Sequence, residues 1–458
     1  MRGLFDLFLA SSIFLFAFPC LTESTPPSAW WTASLPFRPT NLTYKADALW
    51  VCGADEMIAK SDDGGKSWQV KHQKPNGELL LKIAFAGEMF GFVSGSHGAF
   101  LRTSNGGETW TSNMVGTSTV KNISFADDRH GMRQVGLNVE MTDDGGAHWT
   151  SVVGFDTNPS NKDCFEVLSF VRLDSNRATV ALHQKEGEDF FFVTRDDGET
   201  WKTIHLDNTF AGALFSWNSQ YWAFGIEYLE RQKSGGYSAP VVLHSPDGLN
   251  WSHGTTSPTE FSSCTSQGCI LYDGAIANLY GEKPAYLAVP ADGTLQPAWA
   301  AGKGSVCVAG PKLKCAQAEN TATPPSRPYI SRPISTVVNE SRLFDDCISC
   351  TSGSFAVPNT LRFMAVLDVS LDVAKDGTVS HVDVRKAPNP EVENEIQNII
   401  GAWLFEPPRE GGVPVERNHK FVFNLGCFAF PGNDQGTCSM LFIPKRASSL
   451  GTGGQLLP

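Results

Sequence analysis

The apolar positions of this chain come in short runs that alternate with polar ones and are cut by Gly, Asn, Asp or Ser. Stretches opening at Phe85, Phe125, Phe170 and Phe215 share this shape, and three of them lead to a small turn at Gly95, Gly136 and Gly225; Tyr44 with Gly53 opens the series. Alternation with period two between Gly turns predicts half-buried strands joined as hairpins. Helical repeats fit poorly, because Gly and β-branched residues interrupt every window that a helix would need.

A second pattern runs in phase with the first. Ser61-Asp62-Asp63-Gly64-Gly65-Lys66-Ser67-Trp68 is echoed from Thr103 to Trp110, from Thr142 to Trp149 and from Thr194 to Trp201, all fitting Ser/Thr-x-Asp/Asn-x-Gly-x-x-Trp. The key polar and aromatic pairs are Asp63 and Trp68, Asn105 and Trp110, Asp144 and Trp149, and Asp196 and Trp201. A fifth copy, with Asp247 and Trp251, is one residue shorter, and a degraded sixth runs from Asp292-Gly293 to Trp299. Trp-to-Trp spacings of 42, 39, 52, 50 and 48 residues match stacked four-stranded units, the sequence sign of a β-propeller. In such a turn the Asp or Asn side chain accepts backbone N–H groups, Gly supplies positive φ, and the hydroxyl closes the hairpin. The Trp buries a large ring between neighbouring sheets, so the pattern is structural first.

These octets resemble the Asp-box, or BNR, repeats of sialidases, sortilin-type receptors and photosystem II assembly factor propellers, over residues 42 to 300. The resemblance implies a six-bladed ring within residues 25–315, with residues 301–316 available for a seventh blade. Trp30-Trp31-Thr32-Ala33-Ser34-Leu35-Pro36 resembles the segment after each box and is expected to close the ring as an outer strand. Fold leaves function open, since the motif lies on the periphery of propellers that do unrelated things.

A sialidase-like glycoside hydrolase is the alternative that the box suggests. Pro36-Phe37-Arg38-Pro39 resembles the motif carrying the first arginine of a sialidase's carboxylate clamp, one residue short, and Tyr228 beside Glu227 and Glu230-Arg231 is a candidate nucleophile. No Arg occurs between residues 232 and 326 to complete the clamp. The bland expectation is therefore that Arg38 lies on the surface, Tyr228 lies in a blade loop, and the chain has no catalytic, cofactor or metal site. Trp217 and Trp222, the mid-propeller tryptophans outside the boxes, are where ligand stacking would have to start.

Past a Pro/Thr-rich linker (316–340), the pattern changes. Leu361 to Val373 alternates, Lys375-Asp376-Gly377 turns, Thr378 to Arg385 alternates again, and Asn389-Pro390 caps a helix with Val392, Ile396, Ile399, Ile400 and Trp403 on one face. A strand from Val415 to Asn424 completes a ββαβ order. The Asp376-Gly377 turn, Trp403-Leu404-Phe405-Glu406-Pro407, Gly411-Gly412-Val413-Pro414-Val415 and Phe421-Val422-Phe423 resemble the C-terminal domain of the energy transducer TonB (residues 341–430). That family pairs an exposed strand edge with an outer-membrane receptor segment. Residues 431–458 are expected to form a flexible tail.

Composition narrows the partners. With 36 Lys+Arg against 48 Asp+Glu, the net charge of −12 argues against a nucleic-acid partner. Leu7 to Leu21 is short for a membrane span and suits a secretory signal peptide (1–24). Setting Cys20 aside leaves an even number of cysteines, and eight fall into close pairs: Cys264/Cys269, Cys307/Cys315, Cys347/Cys350 and Cys427/Cys438. In an exported chain these are disulfide candidates with connectivity open; Cys52 and Cys164 are a long-range pair or two buried thiols. The expectation is a non-enzymatic exported protein, periplasmic or secreted, in a Gram-negative envelope. Its propeller would bind a protein or glycan, and its second domain would dock a receptor segment or another strand-forming peptide. A TonB-type transducer is a further alternative.

Overall fold

The computed structural model describes residues 31–152, 165–184, 189–206, 209–217, 219–228, 238–253, 261–265, 268–271, 276–278, 285–288, 298–302, 305–309, 312–317, 319–321, 346–350, 354–358, 363–429 and 435–442. The signal segment, Cys164 and most of the degraded sixth octet lie outside them. Seven antiparallel sheets follow one another as propeller-like blades. Blade 1 is built from Pro39–Lys45, Ala48–Gly53, Ile58–Ser61 and Gln69–His72, and blades 2 to 5 repeat that meander through Ser252–His253. Blade 6 runs from Phe261–Thr265 to Ala285–Ala288 and gains Glu319–Thr321 as a fifth strand.

Blade 7 settles the count that the octets left open. Ala298–Gly302, Ser305–Ala309 and Leu313–Gln317 supply three of its strands, and Trp31–Thr32 supplies the fourth, with Trp31 opposite Cys315 and Thr32 opposite Lys314. Trp299 therefore belongs to an inner strand and does not follow a box. Blades 7 and 1 share one apolar core, in which Ala33, Phe37, Leu42, Leu49, Val51 and Ala59 pack on Ala300, Cys307, Ala309, Leu313 and Cys315. A hydrogen bond of 2.7 Å between the Tyr44 and Ser305 hydroxyls ties the same seam.

The octets form one turn five times over. The Ser61, Thr103, Thr142, Thr194 or Ser245 hydroxyl donates to the Asp or Asn two residues on at 2.8–3.1 Å and accepts a Gly N–H at 2.8–3.0 Å. Each Trp Nε1 then donates to that Gly carbonyl at 2.8–3.2 Å. The glycine is required by contact as well as by φ. A Cβ on Gly65 (φ +92°) would lie 2.6 Å from Cys315 Sγ, and one on Gly107 (φ +95°) would lie 2.3 Å from the Trp50 ring. Each of these two turns thus seats on the core of the blade before it.

The in-phase Phe residues lie towards the ends of inner strands, where Phe85 and Phe125 pack 5.9 and 6.2 Å from the box rings Trp110 and Trp149. Six inner strands carry a register shift at the same place, between 39/41, 80/82, 120/122, 167/169, 211/213 and 261/263. Such bulges add twist and release N–H groups from the ladder. Side chains of the preceding blade take up other N–H groups of these inner strands: Ile83 N–H donates to Asn41 Oδ1 (3.2 Å), Arg172 N–H to Ser124 Oγ (3.0 Å) and Leu214 N–H to Ser169 Oγ (2.8 Å).

The C-terminal region is a small α+β domain. Its sheet includes Phe363–Val373, Val379–Arg385 and Arg417–Ala429, and Val392, Ile396 and Ile400 of the helix Pro390–Gly401 pack with Leu367, Val369 and Leu371. Asn389 caps that helix, its Oδ1 accepting Val392 N–H at 2.8 Å. Two boundaries need correction. Residues 316–321 are not linker, because Leu313–Gln317 and Glu319–Thr321 are paired strands of blades 7 and 6. Nor is the segment after 430 simply a flexible tail, since Gln435–Phe442 pairs along Phe423–Ala429 with Cys438 opposite Cys427.

Cys307–Cys315, Cys347–Cys350 and Cys427–Cys438 are disulfides. Cys264 and Cys269 face each other across a strand pair, their side chains lying outside the described residues. Cys52 is a free, buried thiol whose pKa burial pushes up to about 12.

Trp50, absent from every octet, is with Trp403 the largest fully buried side chain among the described residues, packed on Phe85 at 5.1 Å and on Trp110 at 6.3 Å. Truncating a ring in such a site costs about 3–5 kcal/mol. Trp50→Ala is expected to lower the denaturant midpoint of unfolding by that margin, and Trp68→Ala, whose ring is only half-buried, by clearly less.

Candidate functional site on the loop face

In an antiparallel meander, the turns joining strands 1–2 and 3–4 emerge at one end of a blade. Turns 2–3 and the crossings to the next blade emerge at the other. The five octets are 3–4 turns and occupy the first end. The second end carries Ala54–Met57, the connection through Glu78 and Leu79, the tight turn Ser96–Gly98, and the connection through Val115 to Thr119. These loops brace one another. Glu56 N–H donates to Glu78 O (2.9 Å), Ser96 N–H to Leu79 O (2.9 Å) and Val115 N–H to Gly98 O (2.8 Å).

Glu78 anchors the centre. One carboxylate oxygen accepts the Ser96 hydroxyl and lies against His97 Nδ1, both at 2.8 Å, and the other accepts Arg409 Nη2 at 2.8 Å. Arg409 belongs to the C-terminal domain, so this pair crosses between domains. From the same side, Glu406 accepts the Thr119 hydroxyl and places its second oxygen 4.0 Å from His97 Nε2. Beside this polar set, Ile348 and Leu404 of the C-terminal domain meet Ala54, Leu79 and Leu81 of the propeller. Ile348 stands between the two cysteines of the Cys347–Cys350 disulfide, which holds it at the seam.

Arg38 makes a third corner. Its guanidinium donates to Gly401 O at 2.8 Å and to Val379 O at 3.4 Å. The helix Pro390–Gly401 has no basic residue in its own last turn, so a propeller arginine supplies the cation that a helix C-terminus favours. Desolvation lowers the Arg38 pKa, and the charge of Asp376 works against that shift. Arg38 is therefore not the free surface residue expected from the sequence; it is engaged by another domain more than 340 residues away.

The box residues Asp63, Asn105, Asp144, Asp196 and Asp247 all sit at the opposite end and contribute nothing to this face. Trp222 is buried and stacked on His244 at 5.1 Å, which removes it as a ligand-stacking platform; the Trp217 and Tyr228 side chains lie outside the described residues. Glu78, His97, Thr119, Glu406 and Arg409 carry no local motif, and only the Trp-x-Phe-x-Pro resemblance pointed near one of them. Among the described residues, no cluster of three or more His, Cys, Asp or Glu side chains could hold a metal ion.

A family profile described as photosynthesis system II assembly factor YCF48 matches residues 28–104. That stretch contains Arg38, Glu78, Ser96 and His97. The photosystem II assembly lipoprotein Ycf48 of Synechococcus sp. (strain CC9902) is 26% identical over 207 residues, 41% of this chain and 56% of the relative, so the match spans about half of that relative's length. Among solved structures, YCF48 bound to D1 peptide aligns with a TM-score of 0.39 at 15% identity, over 64% of this chain and 99% of that one. YCF48 from Cyanidioschyzon merolae aligns with a TM-score of 0.36 at 14% identity, over 63% and 99%.

The domain seam has a defined pH window. The hydrogen bond to Glu78 raises the His97 pKa, desolvation opposes this, the charges of Glu78 and Glu406 add to it, and Arg409 subtracts. Burial pushes Glu78 up, but His97, Ser96 and Arg409 together hold it below its ordinary value. A raised imidazole contributes fully below its ordinary 6.5 and loses that contribution as pH rises through its own value. A depressed carboxylate contributes above its ordinary 4.5 and loses that as pH falls through its own value. The Glu78–His97 pair is expected to stabilise the loop face most between these two ordinary values. Hydrogen exchange of the Leu79 and Ser96 amides, which bridge the two loops, should, corrected for intrinsic rates, show protection falling on the alkaline side, and His97→Gln should flatten that limb.

Proposed function

We propose that this chain is a non-enzymatic, exported envelope protein whose propeller binds a segment of a partner protein on its loop face. One observation carries the reading. The stretch similar to the photosystem II assembly factors, residues 28–104, supplies loops that already hold polypeptide, namely the Val379 and Gly401 carbonyls and the Arg409 guanidinium, with Thr119 of the next loop holding the Glu406 carboxylate. Loops that capture one chain by backbone carbonyls and charged side chains are suited to capturing another. The name of the Synechococcus relative, an assembly lipoprotein, points the same way. The apolar stretch Leu7 to Leu21 and the lipoprotein relative support attachment to an envelope membrane.

A hydrolase reading loses its first element, because Arg38 spends its hydrogen bonds on carbonyl oxygens of the second domain and is not turned towards a substrate carboxylate. The second domain keeps a separate role. Val379–Arg385 is the last strand of its sheet, and its outer edge is the place for a strand-forming partner, as the TonB resemblance implies.

Leu137 and Met114 are exposed apolar residues on the loop-face side of blades 3 and 2. A photo-crosslinking residue placed at Leu137 in the native host should give a discrete protein adduct from the envelope fraction, and the same residue at Lys66, on the box side, should give none. Adducts confined to Lys66 would contradict the reading. So would sialoside hydrolysis abolished by Tyr228→Phe.

A further inference from the structure

Glu406 is the carboxylate of the C-terminal domain that the loop face holds. It lies on the turn Leu404-Phe405-Glu406-Pro407, which is fixed within its own domain: Phe405 N–H donates to Gly377 O and Glu406 N–H to Asp346 O, each at 2.8 Å. The turn crosses Gly377 so closely that a Cβ there would lie 2.2 Å from Phe405 O. With its backbone held this way, the Glu406 side chain finds its partners outside its own domain. The Thr119 hydroxyl donates to one oxygen and His97 Nε2 stands 4.0 Å from the other. A hydroxyl and an imidazole converging on one carboxylate form the donor set of a carboxylate receptor.

The contact around that receptor is built to part. Among the described residues its apolar portion is Ala54, Leu79, Leu81, Ile348 and Leu404. Three of its polar groups keep access to water, the side chains of Arg409, His97 and Glu406 being 25%, 28% and 37% exposed, while Glu78 and Arg38 are more buried. Small, polar contacts of this kind between domains permit relative motion. Among the described residues no strand pairing joins the C-terminal domain to the propeller, so lifting the domain breaks none of theirs.

We infer that the C-terminal domain is a displaceable cover, and that Glu406 fills in cis a carboxylate-binding site of the propeller, formed by Thr119 and His97, which a carboxylate on a partner segment takes when the cover lifts. This rests on the reading of the loop face as a partner-binding surface. It adds the chemical group that is recognised and the reason the free protein keeps it hidden. The cover and the partner compete for one site, so partner affinity is reduced by the fraction of time the cover is closed.

The test uses the full chain and, as probe, a blocked synthetic peptide of residues 402–414 carrying Glu406. In the doubly substituted chain Glu406→Gln/Arg409→Gln, the site is vacated but its propeller donors are intact. The peptide should bind this chain at least tenfold more tightly than it binds wild type, and the same peptide with the substitution Glu406→Gln should lose that gain. Adding Thr119→Val to the doubly substituted chain should also abolish it, with an unchanged unfolding midpoint showing that the fold is kept. Equal binding to both chains, binding indifferent to the Glu406 carboxylate, or no binding to either would overturn the inference. The outcomes separate from those of the function reading. A partner adduct at Leu137 with no peptide discrimination removes the cover and leaves the binding face, whereas discrimination without any adduct does the reverse.

Discussion

A ring of radial sheets has two raw faces until its last sheet meets its first, and here the polypeptide makes that meeting by pairing Trp31–Thr32 with a strand of the last blade. Trp31–Thr32 completes the blade whose other strands lie between residues 298 and 317. Everything else in the propeller leans on that closure. The Cys307–Cys315 disulfide lies within contact distance of Gly65, Tyr44 reaches Ser305, and the apolar core of blade 1 is half made of blade 7. Since burying apolar surface is the main favourable contribution to folding, an open ring would expose two such cores at once.

Closure also explains why one end of the ring of blades is inert and the other eventful. The octet turns satisfy themselves internally, hydroxyl to carboxylate, carboxylate to backbone, indole to glycine carbonyl, and present little beyond solvated charge. At the other end, loops from blades 1 to 3 are braced by Glu78 and Ser96 into a surface with unspent donors, and the C-terminal domain spends them. Three kinds of complementarity meet there. A cation faces a helix C-terminus at Arg38, an ion pair forms between Glu78 and Arg409, and a carboxylate lies among donors at Glu406. None is large alone, since partly exposed ion pairs each contribute little, but together they fix the orientation of one domain on the other.

Much of the propeller was legible in the sequence because its signal is local. Each octet satisfies itself within eight residues, so spacing alone announces a blade. The ring-closing role of Trp31 was legible for the same reason, from its likeness to the segments after the boxes. The seventh blade was harder to read. Trp299 continues the tryptophan series by number but belongs to an inner strand, and its blade carries no box. The inner-strand bulges were invisible because they depend on register against a neighbour and not on residue type. Gln435–Phe442 read as tail because its Gly and Thr positions hide a strand that only pairing with Phe423–Ala429 and the Cys427–Cys438 bridge define. The candidate site was the least legible part. Arg38 and Gly401, or Thr119 and Glu406, lie hundreds of residues apart, and each is an ordinary residue until folding brings it to the seam.

The central claim is that the resting protein holds its C-terminal domain closed on the loop face of blades 1 to 3. The most direct measurement is the distance distribution between spin labels at Leu137 and Val413, both exposed, in the full chain at a pH between the ordinary values of Glu78 and His97, 4.5 and 6.5. A single narrow distribution that broadens on Arg38→Ala is the expected result. A broad distribution in the unaltered chain, unchanged by Arg38→Ala, would contradict it.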